Sequence, residues 1–404
     1  MSTILNQTRN LIRLYHHHAG RSEIPTVYHL WSSIALISAC VADKVYYRKF
    51  ADTRLIPNLY VLLVGPSGTG KGTAINIATK FVASPRPLNA VQPYQGNITK
   101  QALIDEFAKR QNQRRQSNNL WLISPELGDD IPPGPLGEDL IRFLTKIYEG
   151  DFSLPIKEKT RLRGLREIIR PCLNWLAGTT KEWLTLSLPK YAVEGGSLAR
   201  VVAVMGDYDT ENRITRPQYP FDRGDVVAEI HRRVEELCYV SGEFEMSPEA
   251  SAIDEQWYLN RSGPSDESLL PAWKRQHDLV IKIAMILSLA EGELDLMIRP
   301  EHLTRAQQLT KDLQKKLPDL IQLASPTKDS DNLNRVVRMI QLHGQIPRHT
   351  LMQRVSKYGI TADKLNIVIQ TLATSKQIVT RPSKMGGVIY VWQKNEKPKL
   401  DLTA

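Results

Sequence analysis

One run of residues limits this chain's fold more than any other. Gly65-Pro66-Ser67-Gly68-Thr69-Gly70-Lys71-Gly72-Thr73 follows the apolar stretch Leu59–Val64 and opens the amphipathic stretch Lys71–Val82. Strand, glycine loop, helix is the setting in which a GxxxxGK segment cradles phosphate. The glycines let backbone N–H groups curl around phosphate oxygens without Cβ clashes. The helix N-terminus adds the positive end of its dipole, and Lys71 adds a point charge for the β and γ phosphates. The residue after the lysine is normally Ser or Thr. Here it is Gly72, which leaves Thr73, one position later, as the candidate magnesium-side hydroxyl. The segment therefore predicts ATP and Mg2+ as ligands.

The surrounding chain is long enough to frame such a site. At roughly 100–200 residues per domain, 404 residues correspond to two to four domains. A composition of 42% hydrophobic and 24% charged residues is that of a globular protein. The longest nearly apolar run, Ile34–Ala42, is far short of the ~20 residues of a membrane span. The N-terminus lacks the apolar core of a signal peptide, and Cys40, Cys172 and Cys238 form no CxxC pair. The expected location is a reducing compartment, the cytoplasm.

Four regions follow from the patterning. Residues 1–56 read as an N-terminal helical region, with an apolar stripe through Ile4, Leu11, Leu14 and Tyr15, a helix over Val27–Ala42 and a short strand at Tyr46–Phe50. Residues 57–222 alternate buried-strand runs (Leu59–Val64, Leu120–Ser124, Cys172–Ala177, Val201–Met205) with helices (Lys71–Val82, Thr99–Gln111, Leu136–Tyr148, Lys181–Leu188). This is the α/β pattern of a parallel sheet flanked by helices. Residues 223–325 read as an all-helical lid, with helices at Asp225–Leu237, Ser247–Asn260, Leu270–Glu291 and Arg299–Leu323. Residues 326–404 carry +8 of the net charge of +10 and read as three helices and a two-stranded wing, Gln377–Arg381 and Val388–Trp392. That order is the winged-helix variant of the helix-turn-helix. A small basic domain is the footprint of a polyanion partner.

Further site candidates lie at the ends of the core strands. Asn119–Ser124 runs into Pro125-Glu126, an apolar strand ending in an acid, as in a Walker B segment. Glu126 is the candidate base or magnesium ligand. The usual Asp before it is Pro125, and Asp129 and Asp130 are substitutes within reach; simple capping of the following turn is the alternative. Thr179 or Thr180 can set a hydroxyl near the γ-phosphate, although Thr180 would equally cap the next helix. Arg200, after Gly195-Gly196-Ser197, has the setting of an arginine finger reaching a neighbour's nucleotide, or else of a surface ion pair. Lys157, Lys159, Arg161 and Arg163 suggest a basic hairpin facing DNA, and Lys109-Arg110 with Arg114-Arg115 a weaker DNA contact; a solvated charged face is the alternative for both. Arg275 or Lys282 can face phosphate from the lid, or else belong to an ordinary core helix with surface charge. In the wing domain Lys364 and Asn366 are placed to read base edges, with Arg381 and Lys384 against phosphate. His16, His17 and His18 form a triplet with no evident metal partners.

The combination PNLYVLLVGPSGTGKGT, LISPELG, CLNWLAGTTKEWL, EGGSLARVVAV and KRQHDLVIKIAMILSLAE resembles a family of phage- and mobile-element-encoded P-loop ATPases, long grouped only as a domain of unknown function. Its members often accompany primases and are described as helicase-like. The resemblance spans about residues 25–315 and implies a RecA/AAA-like P-loop NTPase core, with nucleotide binding and catalysis carried by Lys71 and Glu126 and a role across subunits for Arg200. The expected activity is an ATP-dependent DNA helicase or translocase of phage or mobile-element replication. Its expected partners are DNA, further copies of the chain in a ring such as a hexamer, and a primase or other replication protein. An ATP-switched loader, initiator or transposition regulator that recruits a partner without unwinding is the alternative. A packaging motor or a nucleotide kinase accounts for fewer features, although the GKGT ending also occurs in adenylate kinases.

Overall fold

The structure, a computed structural model, describes residues 4–50, 53–83, 91–96, 98–112, 118–131, 135–149, 155–160, 164–187, 196–208, 213–324, 336–337, 339–341, 343–374, 377–382 and 387–392. They fall into two compact units, Met1–Ala324 and Ser325–Ala404.

The first unit is built on a five-stranded sheet. Its strands are Tyr60–Val64, Gln92–Tyr94, Asn119–Ser124, Cys172–Thr179 and Val201–Met205, and every neighbouring pair is parallel. In space Gln92–Tyr94 lies at one edge, followed by Asn119–Ser124, Cys172–Thr179, Tyr60–Val64 and Val201–Met205. Both faces are covered. Leu63, Leu176 and Val204 belong to a core shared with helices Thr26–Val41, Lys71–Ala83 and Leu270–Glu291. Leu62, Leu122 and Ala177 belong to a second core with Lys100–Asn112 and Pro135–Ile147. Burial on both faces is why these strands read as continuous apolar runs. The edge strand Gln92–Tyr94 has no such run, and nothing in the sequence announces it. Thr99 caps the Lys100 helix as its position suggests, accepting from Ala102 N at 3.1 Å.

Residues 223–323 are not all helical. Gly242–Met246 and Met297–Ile298 are strands that pair in parallel, and Gly242–Met246 also pairs with the N-terminal strand Val45–Phe50. These strands are too short to show a period-2 pattern, so the helical stretches around them dominate the sequence signal. The expected lid and the N-terminal region thus share a sheet and a core. The helices Arg223–Leu237, Pro248–Leu259, Leu270–Glu291 and Pro300–Ala324 stand where the spacing puts them. No helix among the described residues is long and apolar enough to cross a membrane.

The second unit has a three-stranded antiparallel sheet, with Val388–Trp392 between Gln345–Pro347 and Ile378–Pro382. The hairpin is the one expected; the short strand Gln345–Pro347 is additional. In the helix Ala362–Thr374, Leu365, Val368, Ile369 and Leu372 are buried, while Lys364, Asn366 and Gln370 are exposed. That division follows from helical spacing alone.

Candidate nucleotide site

Because all five strands run the same way, their C-terminal ends meet at one edge, where open α/β sheets bind ligands. The loop Gly65–Gly70, Glu126, Thr179 and Tyr208 all lie there. The loop's conformation depends on glycine at two positions, Gly68 with φ +84° and Gly70 with φ +79°. Neighbours hold it closely. Tyr28 donates its hydroxyl to the carbonyls of Val64 and Gly206, at 2.9 and 3.0 Å, tying the ends of two strands together. The exposed Tyr208 donates to the carbonyl of Ser67.

Lys71 is 5% exposed, and its Nζ donates to the carbonyls of Gly65 and Pro66 at 2.9 and 2.7 Å. Burial lowers its pKa, while the carboxylates of Glu126 and Glu182 act in the opposite direction. These acceptors are the loop's own carbonyls, which an anion in the loop can replace. The helix begins at Lys71, so its first N–H groups have no carbonyl four residues back.

Thr179 lies on the strand between the loop strand and the acid strand. Its carbonyl accepts from Gly65 N at 3.2 Å. Thr179 is 1% exposed, and its hydroxyl has no partner among the described residues. A buried hydroxyl left unpaired costs about 1–3 kcal/mol. Thr180 takes the other role: its hydroxyl accepts from Trp183 N at 3.2 Å and caps the helix Lys181–Ser187. Glu126 stands at the N-cap position of the turn Leu127–Asp130, but its exposed side chain makes no capping bond. It is two strand positions from the loop strand, about 9–10 Å at ordinary sheet spacing.

The two unusual positions of the motifs meet in space. A Cβ on Gly72 would lie 4.0 Å from the Cβ of Pro125. The hydroxyl and the carboxylate commonly found at such positions are thus both replaced, by residues that lie against each other. Asp130 is turned towards Ser124, and burial raises its carboxyl pKa. Glu182, in the first turn of its helix, is instead the second acid whose charge reaches Lys71. Nothing in its sequence context marks it, because it is brought in by the strand order. Thr73 is exposed in the first helical turn. Thr73, Glu126 and Glu182 offer hard oxygen ligands, a set that suits Mg2+, which keeps several waters and needs only one or two carboxylates.

Other candidates lie elsewhere. Arg200 precedes Val201–Met205 and so sits at the opposite, N-terminal edge of the sheet. It is bound to Glu149 at 3.0 Å and to the carbonyl of Gly196 at 3.0 Å. Arg275 approaches the same carboxylate at 3.6 Å, and Lys282 is buried against Asn58. Neither faces the loop of its own chain, contrary to the expectation for a lid, because Leu270–Glu291 packs along the sheet at that far edge. The basic hairpin exists as Ile156–Thr160 paired with Gly164–Ile168. Lys157 is exposed on it, the Lys159 side chain is not described, and Arg161 and Arg163 lie outside the described residues. Arg110 is buried, paired with Glu106 at 3.0 Å and donating to Asn119 O at 2.7 Å, a structural role; Arg114 and Arg115 lie outside the described residues. In the second unit Lys364 and Arg381 are exposed, Asn366 accepts from Arg348 at 2.6 Å, and Lys384 lies outside the described residues. His17 pairs with Asp222 at 2.6 Å. No family model matches the chain, and no curated protein matches it.

Proposed function

We propose that the chain is a DNA-dependent ATPase, a helicase or translocase of phage or mobile-element replication that works as a homo-oligomeric ring. The observation that carries the ATPase reading is the edge itself. Three neighbouring parallel strands end in a folded-back lysine, a buried hydroxyl with no partner among the described residues and an exposed carboxylate. In this reading Lys71 exchanges loop carbonyls for phosphate oxygens, and Thr179 donates to the γ-phosphate. Glu126 accepts a proton from the attacking water and aligns it. Glu126 with Thr73 or Glu182 would hold Mg2+, which would supply charge neutralisation for the phosphates. Arg200 is too far round the sheet to serve its own chain's loop, so it acts on a neighbour's nucleotide.

DNA is the proposed polyanion for the exposed Lys157 of the hairpin and for the basic second unit, read as a winged helix. The decisive test is ATP hydrolysis with and without single-stranded DNA, followed by strand displacement on a forked duplex. Stimulated hydrolysis with displacement is expected. Stimulated hydrolysis without displacement would make the protein a loader or initiator. For the wing, Arg381→Ala with Lys384→Ala should flatten the slope of log affinity for duplex DNA against log salt by about two units, since each phosphate contact contributes ~0.9. An unchanged slope would assign that unit to a protein partner.

A further inference from the structure

An open cleft beside the loop is built from segments that the proposed chemistry leaves unused, among them part of the histidine triplet. One wall is the end of helix Leu11–Ala19, the turn after it and the start of helix Thr26–Val41; the other is Gln218–Pro220. The cleft measures about 460 Å³. Arg21 and Gln218 join the walls by two backbone hydrogen bonds of 2.8 Å.

The cleft borders the loop through Ile24 of its wall. Ile24, in its wall, lies so close to Gly70 that a Cβ there would meet its Cγ1 at 2.5 Å. Tyr15, next to His16 of the same wall, donates to the carbonyl of Ala74 at 3.3 Å, in the first turn of the Lys71 helix. The opening therefore adjoins the loop at Gly70 and lies near the first turn of the Lys71 helix.

Besides Arg21, the cleft is lined by groups that suit a flat, polar ligand. His29 is 3% exposed, and neither ring nitrogen has a partner among the described residues. Burial, with the nearby His16 and His18, lowers its pKa to about 4. At neutral pH it therefore offers one N–H and one lone pair, a combination that a nucleobase edge can match. Tyr219 presents a half-exposed ring, with the Arg223 guanidinium 3.7 Å from its centroid. Aromatic rings of this kind stack on bases.

We propose that this cleft takes the nucleoside of the bound triphosphate, with His29 hydrogen-bonding the base edge and Tyr219 lying against the base. The inference rests on the nucleotide reading of the loop. Two measurements on the full chain test both and keep them apart. The first is photolabelling with 8-azido-ATP and mapping of the labelled peptide. Label that ATP competes away should enter residues 16–29 or 213–223. Competed label in any other segment overturns the cleft while the loop reading stands. The second is binding of ATP against inorganic tripolyphosphate, which has no nucleoside. Tyr219→Ala, at an exposed position, and His29→Gln should each weaken ATP about tenfold, or ~1.4 kcal/mol, and leave tripolyphosphate unchanged. Equal loss of both ligands in Tyr219→Ala overturns the cleft, because the change then acts through the loop. If the wild-type chain binds neither ligand, the nucleotide reading itself is lost and the inference with it.

Discussion

The two edges of the central sheet carry similar residues in opposite states. At the C-terminal edge, among the described residues, polar groups are left incomplete: the Thr179 hydroxyl is unpaired, Glu126 makes no capping bond, and Lys71 bonds to its own loop carbonyls and the Thr69 hydroxyl. At the N-terminal edge one cluster of such groups completes itself, although Asn118 Oδ1 has no partner among the described residues. Lys282 donates to the Oδ1 and the carbonyl of Asn58 at 2.7 and 3.2 Å and lies 4.2 Å from the Tyr148 ring centroid. Asn58 in turn donates to the carbonyl of Tyr148 at 2.7 Å, and Arg200 and Arg275 share Glu149. A buried polar group without a partner destabilises a fold, whereas a satisfied network does not. The contrast separates polar groups left without partners among the described residues from a network that is satisfied.

The sharpest check is Lys71→Ala. Its loss should abolish nucleotide binding and hydrolysis while circular dichroism and the unfolding midpoint stay close to wild type, because its hydrogen bonds are confined to its own loop. A large fall in stability would move Lys71 into the structural class. Arg200→Ala comes next and can break the division of edges. As a partner of Glu149 alone it should cost no more than about 1 kcal/mol. Acting across a subunit boundary it should lower hydrolysis by about 10³–10⁵ and leave nucleotide binding intact. We expect the latter, with partial recovery when Arg200→Ala and Lys71→Ala chains are mixed. A dead mixture in which mixed assemblies form would return Arg200 to the structural edge. Glu126→Gln should lower turnover by about 10²–10⁴ and spare ATP binding; normal turnover would move the base to Glu182 or Asp130.

The legibility of the two edges in sequence differs for physical reasons. Four of the five core strands read directly, because burial on both faces makes each a continuous apolar run. The glycine loop and the acid at the end of Asn119–Ser124 read from local order, since a loop's chemistry is contained in consecutive residues. Strand order is not local. It decides that Thr179 lies between Lys71 and Glu126, that Glu182 is the second acid near the lysine, and that Arg275 and Lys282 face away. Tyr28, Ile24 and Tyr208 support the loop from distant segments with no motif of their own. Exposed turns such as Gly195-Gly196 also suggest reach, yet Arg200 just after that turn is held by Glu149. In the second unit, helical spacing sorted Leu365, Val368, Ile369 and Leu372 from Lys364 and Gln370, since that unit's core is made of nearby residues.

The smallest expected effect concerns the satisfied edge. Lys282 is buried, and that burial lowers its pKa from 10.5 to about 8, with Glu149 and Asp278 pulling the other way. Below pH 8 the amine is charged in both the folded and the unfolded chain, and the full penalty of burying that charge is present. Between pH 8 and 10.5 the folded chain has released a proton that the unfolded chain still holds. The unfolded state then binds more protons, so this position's contribution to stability rises with pH across that window. Lys282→Met has no such group. It leaves the Asn58 acceptors unpaired, at a cost of about 1–3 kcal/mol. Urea unfolding of both proteins from pH 7 to 10 should therefore show wild type gaining on Lys282→Met as pH rises past 8. A difference that stays flat would mean that Lys282 keeps its proton, with Glu149 and Asp278 as its effective partners. The N-terminal edge would then be held by charge rather than by hydrogen bonds to neutral groups, and high salt should weaken it. If the difference grows, salt should leave it nearly unchanged, because a neutral amine on Asn58 offers nothing to screen.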